Sequence, residues 1–192
     1  MCAARGVAVQ DLALSCFRGG ARVIQLRVKS GPSARFLDLA SELIAAARTF
    51  DAAVIVNDRA DIARMAGAAG VHVGQDDLPP DAVRAVFPEG VVGLSTHDRA
   101  QVDLALASAA DYVAVGPIFA TATKETGYSA RGVALVAAAA ARGKRVVAIG
   151  GIDLERAPQV LEAGADSVAV IGDLFTGGDP EARVRAYLRA LA

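Results

Sequence analysis

Short runs of β-branched and small apolar residues alternate along this chain with longer alanine-rich stretches in which apolar positions recur every three to four residues. The runs fall at 22–26, 53–57, 70–73, 91–94, 112–115, 145–149 and 167–171. Each is nearly continuous in apolar character, as a strand covered on both faces should be. The amphipathic stretches fall near 7–18, 33–50, 59–68, 80–86, 98–109, 132–142, 154–163 and 180–191 and predict helices. Ser33, Asp98 and Asp179 stand where N-caps belong, with Pro180 behind Asp179 at the first-turn position. Gly19, Gly67, Gly143 and Gly164 stand where helices should stop. This alternation predicts an α/β fold on a parallel sheet. No linker or low-complexity stretch interrupts it, so residues 1–192 are read as one TIM-barrel domain.

The pattern holds eight helices but seven strands, and a helix comes first. A (β/α)8 TIM barrel needs one more strand before Val7, and residues 1–6 are short and not strand-like. The first strand is therefore expected to be abbreviated or missing, which would leave two strand edges open to pairing with another chain. A doubly wound open sheet is the competing fold.

The placement of polar residues favours the barrel. Gln25, Arg27 and Lys29 follow the first run, Asn57 and Asp58 the second, Gln75, Asp76 and Asp77 the third, Ser95 and His97 the fourth. Thr121, Thr123 and Lys124 come after the fifth, Gly150 and Gly151 after the sixth, Gly172 and Asp173 after the seventh. In a barrel all of these converge on the face where such folds place their chemistry.

Composition narrows the classes. With 20 basic and 21 acidic side chains among 192 residues, and the arginines scattered, the chain lacks the basic stripe of a nucleic-acid binder. Its longest apolar stretch, 133–141, is far short of the roughly 18 residues a spanning helix needs. Residues 1–20 carry Arg5, Asp11 and Arg18 and lack a secretory pattern. Cys2 and Cys16 make neither a disulfide framework nor a zinc-ligand spacing. A cytoplasmic home is the default, and no membrane or nucleic-acid partner is expected.

Several residues suggest phosphate chemistry. Arg27 and Lys29, two apart at a strand end, offer a planar fork and a point charge to a diphosphate, or else form a solvated surface pair. Asp58 and Asp77, on adjacent strands, suit a hard cation such as magnesium; the alternatives are a helix cap for Asp58 and a turn for Asp77. Glycines after the last two strands, Gly150, Gly151 and Gly172, let backbone N–H groups approach a phosphate, although plain turn chemistry also explains them. His72, inside a strand, reads as packed or hydrogen-bonded core, whereas His97, in a loop, could serve as an acid or base near neutral pH.

In this order the residues resemble the thiamine phosphate synthase family and its thiazole tautomerase relatives. The resemblance runs from about Gly20 to Phe175. It is carried by Gln25-Leu26-Arg27-Val28-Lys29, Asn57-Asp58, the stretch from Val71-His72 through Gln75-Asp76-Asp77 to Pro79, and Gly93-Leu94-Ser95-Thr96-His97. It continues through Asp111-Tyr112, Gly116-Pro117, Thr121-Ala122-Thr123-Lys124, Ile149-Gly150-Gly151-Ile152 and the stretch from Gly164 to Ile171.

The resemblance implies a transferase. It would join a hydroxymethylpyrimidine diphosphate to a thiazole phosphate with Mg2+, giving thiamine phosphate and pyrophosphate. By the same resemblance Gln25, Arg27, Lys29, Asn57, Ser95 and Lys124 would hold the pyrimidine diphosphate, and Asp58 and Asp77 the magnesium. Arg27, Lys29 and Lys124 would neutralise the departing diphosphate. Thr121, Thr123, Gly151, Ile171 and Gly172 would hold the thiazole phosphate. A homo-oligomer is expected from the family habit and the open strand edges. Two departures stand out: the missing first strand, and Ile171-Gly172-Asp173 where the family usually has Ile-Ser. Asp173 there would repel a phosphate unless its side chain turns away. The tautomerase, or a non-catalytic phosphate-binding barrel, is the alternative activity.

Overall fold

The computed structural model describes residues 5–121 and 127–192. The elements follow the predicted alternation: α1 (Val9–Arg18), β1 (Val23–Leu26), α2 (Ser33–Arg48), β2 (Ala53–Asn57), α3 (Ala60–Ala66), β3 (Gly70–Val73), α4 (Pro80–Val86), β4 (Val91–Thr96). They continue as α5 (Arg99–Ala107), β5 (Tyr112–Val115), α6 (Val133–Ala140), β6 (Arg145–Ile149), α7 (Ala157–Glu162), β7 (Ser167–Ala169), a 3-10 turn at Gly172–Phe175 and α8 (Pro180–Ala190). The helices bury a stripe at helical spacing. In α2 that stripe is Phe36, Ala40, Leu43, Ile44 and Ala47.

The seven strands are all parallel and pair in sequence order, β1 to β7. This is the curled sheet of a TIM-barrel-like fold, with β1 and β7 as its edges. The helix ring nevertheless closes. Helix α1 packs on α8, where Gly19 gives the room: a Cβ there would lie 2.7 Å from Val184 Cβ and 2.8 Å from the Glu181 carbonyl oxygen. Arg18 pairs with Glu181 at 2.9 Å across the same contact. Leu12, Cys16, Leu174 and Val184 form a small cluster there, and it takes in Ile24 of β1 and Val170 just past β7.

Side chains alternate between the helix layer and the barrel interior along each strand. Leu26, Val56, Val71, Val73, Val92, Val113 and Val115 lie under the helices and are almost fully buried. On the interior face, rows run across the strands by register. The row that matters for the site is Asn57, His72, Gly93, Tyr112. Near the sheet edges this interior face is open: Val23 is 61% exposed, and Gln25 and Ile171 are exposed as well.

Three local expectations change. Ser33 does not cap α2; the cap position is Pro32, and the Ser33 hydroxyl accepts a hydrogen bond from Arg59 instead. Asp98 and Asp179 do cap their helices, accepting from Gln101 N at 2.9 Å and Ala182 N at 3.0 Å. Strand β4 runs two residues further than predicted, because Ser95 and Thr96 stay paired with β5. Strand β7 stops two residues early, at Ala169.

Candidate active site

The C-terminal ends of the strands carry the polar residues, so the site is built strand by strand. Gln25 lies within β1 on the interior face, and Arg27 and Lys29 follow at two-residue intervals beyond its end, all three exposed. Asn57 closes β2 and is buried, at 7% exposure.

Asp58 comes next in an unusual backbone state. Its φ is +66°, in the left-handed region that residues other than glycine, asparagine and aspartate seldom occupy, and Asp51 shares that state at φ +52°. Its N–H donates to the His72 carbonyl oxygen at 2.8 Å, and the Arg59 N–H reaches back over it to the Asn57 carbonyl oxygen at 2.8 Å. That tight turn holds Asp58 at the mouth. Asp58 is not the cap of α3, whose cap position is held by Arg59.

From β3, the Asp77 carboxylate folds back to accept the Gly74 N–H at 2.7 Å, which keeps it beside the strand end. The Gln75 amide donates to the Ser95 carbonyl oxygen at 2.6 Å, tying the β3 loop to β4. The Ser95 hydroxyl lies 2.8 Å from His72 Nε2, and His72 Nδ1 lies 2.9 Å from the Tyr112 hydroxyl. His72 is thus hydrogen-bonded core, as its position in a strand suggests. His97 Nδ1 donates to the Gly116 carbonyl oxygen at 2.6 Å, and its ring stacks on Tyr128 with centroids 4.1 Å apart. The carbonyl can only accept, so the neutral His97 ring carries its proton on Nδ1.

After β6, Gly150 and Gly151 have φ of +95° and +67°. A Cβ on Gly150 would lie 2.6 Å from Pro117 Cα, and one on Gly151 2.6 Å from the Ala120 carbonyl oxygen, so no other residue fits either place. Arg156 donates to the Gly151 carbonyl oxygen at 3.2 Å and lies over the Phe119 ring. Thr121 is half-buried. Thr123 and Lys124 lie outside the described residues.

After β7, Ile171 is exposed and Gly172 opens the 3-10 turn. The Asp173 side chain is tied to α8 and to the loop after β6. Its carboxylate accepts two hydrogen bonds from Arg183 at 2.9 Å each, one from the Tyr187 hydroxyl, one from Thr176 at 3.1 Å and the Leu154 N–H at 3.2 Å. Burial pushes its pKa up, but the bonds from Tyr187 and Arg183, with the guanidinium charge, outweigh that and hold it below the usual carboxylate value. Burial, and then the bond to the same carboxylate, push the Tyr187 hydroxyl far above the usual phenol value.

A depressed carboxyl stabilises the fold fully above the unfolded value near 3.9, and that contribution is lost as pH falls through the lower folded value. Asp173 is only 12% exposed, and Asp173→Asn is expected to cost about 2 kcal/mol at pH 7, the scale of partly buried charged hydrogen bonds. Urea unfolding at pH 7 and pH 3 checks this. The gap between wild type and variant should shrink at pH 3, whereas an equal gap at both pH values would contradict the assignment.

Among the described residues no group of three or more His, Cys, Asp and Glu side chains gathers to hold a metal ion. None of the described helices is long and apolar enough to cross a membrane.

A TIM-barrel-like sheet with charged and amide side chains at its strand ends, and glycine turns after β6, is the arrangement that barrel enzymes use at their C-terminal face. Comparison with known proteins narrows it. The family model described as thiamine monophosphate synthase matches residues 3–174. The thiamine-phosphate synthase of Mycobacterium avium (strain 104) is 50% identical over 173 residues, covering 84% of this chain and 77% of its own. That of Anaeromyxobacter dehalogenans (strain 2CP-C) is 46% identical over 166 residues, covering 85% and 74%. Among solved structures, thiamine phosphate pyrophosphorylase from Pyrococcus furiosus superposes with a TM-score of 0.91 at 28% identity, covering 98% of this chain and 91% of that one. Phosphoribosyl anthranilate isomerase from Thermus thermophilus, at 18% identity and a TM-score of 0.72, shares the fold. The chain belongs to the thiamine monophosphate synthase family, a family of transferases in thiamine biosynthesis.

Sequence reasoning missed the partners of His72 and Asp173. Gly93, a glycine inside a strand, marks the close approach of Tyr112. Arg183 and Tyr187, four apart on α8, share a helix face and so reach Asp173 together.

Proposed function

We propose that the protein is a thiamine-phosphate synthase, coupling a hydroxymethylpyrimidine diphosphate to a thiazole phosphate with release of pyrophosphate. The observation that carries this reading is the arrangement at β1, β2 and β3. Two cationic side chains, Arg27 and Lys29, and two carboxylates, Asp58 and Asp77, stand at neighbouring strand ends beside the buried amide of Asn57. Two carboxylates suit Mg2+, which takes the rest of its shell from water and substrate phosphates. Bound there, magnesium would supply neutralising charge to the diphosphate.

The chain's own residues supply the rest. Arg27 and Lys29, with Lys124, neutralise the leaving diphosphate, while Gln25, Asn57 and Ser95 orient the pyrimidine. As the C–O bond to the diphosphate breaks, the aminopyrimidine ring takes up the positive charge on its methylene carbon, and the thiazole nitrogen attacks that carbon. Little proton transfer is required, so positioning and electrostatics dominate. The thiazole phosphate would sit on the backbone at Gly151 and Gly172, near Thr121 and Ile171, and the family resemblance adds Thr123 to that group. Asp173, held by Arg183 and Tyr187, does not oppose it. The reaction is assigned to the cytoplasm.

Calorimetric titration of the pyrimidine diphosphate tests the clamp. Wild type should bind it with Mg2+ and far more weakly with EDTA. Arg27→Ala is expected to weaken binding about 30-fold, on the scale of a charged hydrogen-bonded contact. Equal binding with and without Mg2+, or by Arg27→Ala and wild type, would overturn the assignment.

A further inference from the structure

The buried row beneath the site contains a histidine that the reaction, as described above, does not use. We propose that His72 is a positioning residue that sets the Ser95 hydroxyl as a hydrogen-bond donor toward bound substrate. This rests on the placement of Ser95 at the pyrimidine diphosphate.

The geometry begins with Gly93. By register His72, Gly93 and Tyr112 form one interior row across β3, β4 and β5. A Cβ on Gly93 would lie 2.0 Å from Tyr112 Cζ and 2.3 Å from its hydroxyl oxygen. Without a side chain there, the Tyr112 hydroxyl crosses β4 and meets His72 Nδ1 at 2.9 Å, the rings being 5.6 Å apart. Two residues further along β4, on the same face, Ser95 Oγ meets His72 Nε2 at 2.8 Å. Both ring nitrogens are therefore engaged.

The direction of the chain follows from the Tyr112 end. Tyr112 is largely buried, and burial keeps its hydroxyl protonated. Its single hydrogen-bond contact among the described residues is His72 Nδ1. Were Nδ1 protonated, the phenol proton would be left in the interior without an acceptor, which costs more than the alternative. Tyr112 therefore donates to Nδ1, and the ring proton sits on Nε2. Nε2–H donates to Ser95 Oγ, so the serine lone pair is occupied and its own proton is free to point at a substrate acceptor such as a ring nitrogen or a phosphate oxygen. The opposite tautomer would turn Ser95 into an acceptor. The two histidines of the chain thus have opposite tautomers, His97 on Nδ1 and His72 on Nε2.

Two measurements on the full chain test this. Nitrogen-15 NMR of the histidine rings, assigned with His72→Gln, should show one neutral ring protonated on Nε2 that disappears in the variant. A His72 ring protonated on Nδ1 would overturn the proposal without any bearing on the reaction itself. The second measurement is a double-mutant cycle on kcat/KM for product formation in Mg2+. Ser95→Ala and His72→Phe should each lose about 10-fold, the scale of one hydrogen bond to substrate, with the double variant within about 2-fold of Ser95→Ala. His72→Gln, which keeps an N–H near the Nε2 position, should recover most of the loss. Multiplicative losses in the double variant, or a folded His72→Gln no better than His72→Phe, would reduce His72 to packing. No product from wild type would instead fault the synthase reading, and leave the NMR result standing.

Discussion

Asp58→Asn is expected to lower turnover about 1,000-fold, the scale of losing a metal-held charge in the transition state, with a thermal midpoint within about a degree of wild type. The expectation separates charge from backbone. Asparagine tolerates the left-handed φ of +66° that Asp58 adopts, so the tight turn between Asn57 and Arg59 should survive while the carboxylate is lost. Asp58→Ala should lose the same activity and, in addition, about 1 kcal/mol of stability, because alanine resists that conformation. Circular dichroism melting alongside steady-state rates checks both. An Asp58→Asn enzyme with wild-type turnover would remove Asp58 from the magnesium site.

The second large effect is at Gly93. Its substitution by alanine places a methyl 2.0 Å from Tyr112 Cζ and 2.4 Å from Cε1, in the middle of a ring wedged between β3 and β5. Overpacking of this kind costs about 3 kcal/mol, which for a domain of this size lowers the melting midpoint by about 8 °C. The displaced tyrosine would also release His72, so activity should fall further than the loss of folded protein explains. Because the ring carbons themselves collide, Tyr112→Phe should not rescue Gly93→Ala, but Tyr112→Ala should restore part of its stability. Differential scanning calorimetry of the three variants decides this, and a Gly93→Ala midpoint equal to wild type would show that the ring swings aside freely.

Much of the architecture was legible because its signals are local. Continuous apolar runs gave the seven strands to within two residues, and Asp98 and Asp179 announced their helices. Ser33 misled because the rigid extended backbone of Pro32 opens α2 first and Arg59 from another loop claims the hydroxyl. The strand ends shifted for tertiary reasons: β4 is prolonged by β5 beside it, while β7 is an edge with one neighbour and ends where pairing ends.

The site was legible as a set of residue types at strand ends but not as a geometry. The two-residue spacing of Gln25, Arg27 and Lys29 was readable from the sequence, yet nothing local told that Asp58 would hold a left-handed turn or that Asp77 would fold back onto Gly74. The Asp173 question turned on α8. Its carboxylate is bonded by Arg183 and Tyr187, ten and fourteen residues later, and no pattern local to Asp173 announces those partners. The open side between β7 and β1 was foreseen from the strand count, whereas its closure by α1 and α8 was not. That depends on Gly19 meeting Val184 across the length of the chain.

Product formation from hydroxymethylpyrimidine diphosphate and thiazole phosphate, read as thiamine phosphate after oxidation to its fluorescent thiochrome, tests the central claim most directly. Product that requires Mg2+ and vanishes with EDTA is the expected result. A folded protein that gives no product with both substrates and Mg2+, but isomerises a thiazole phosphate carboxylate, would contradict the synthase reading and make this chain a tautomerase.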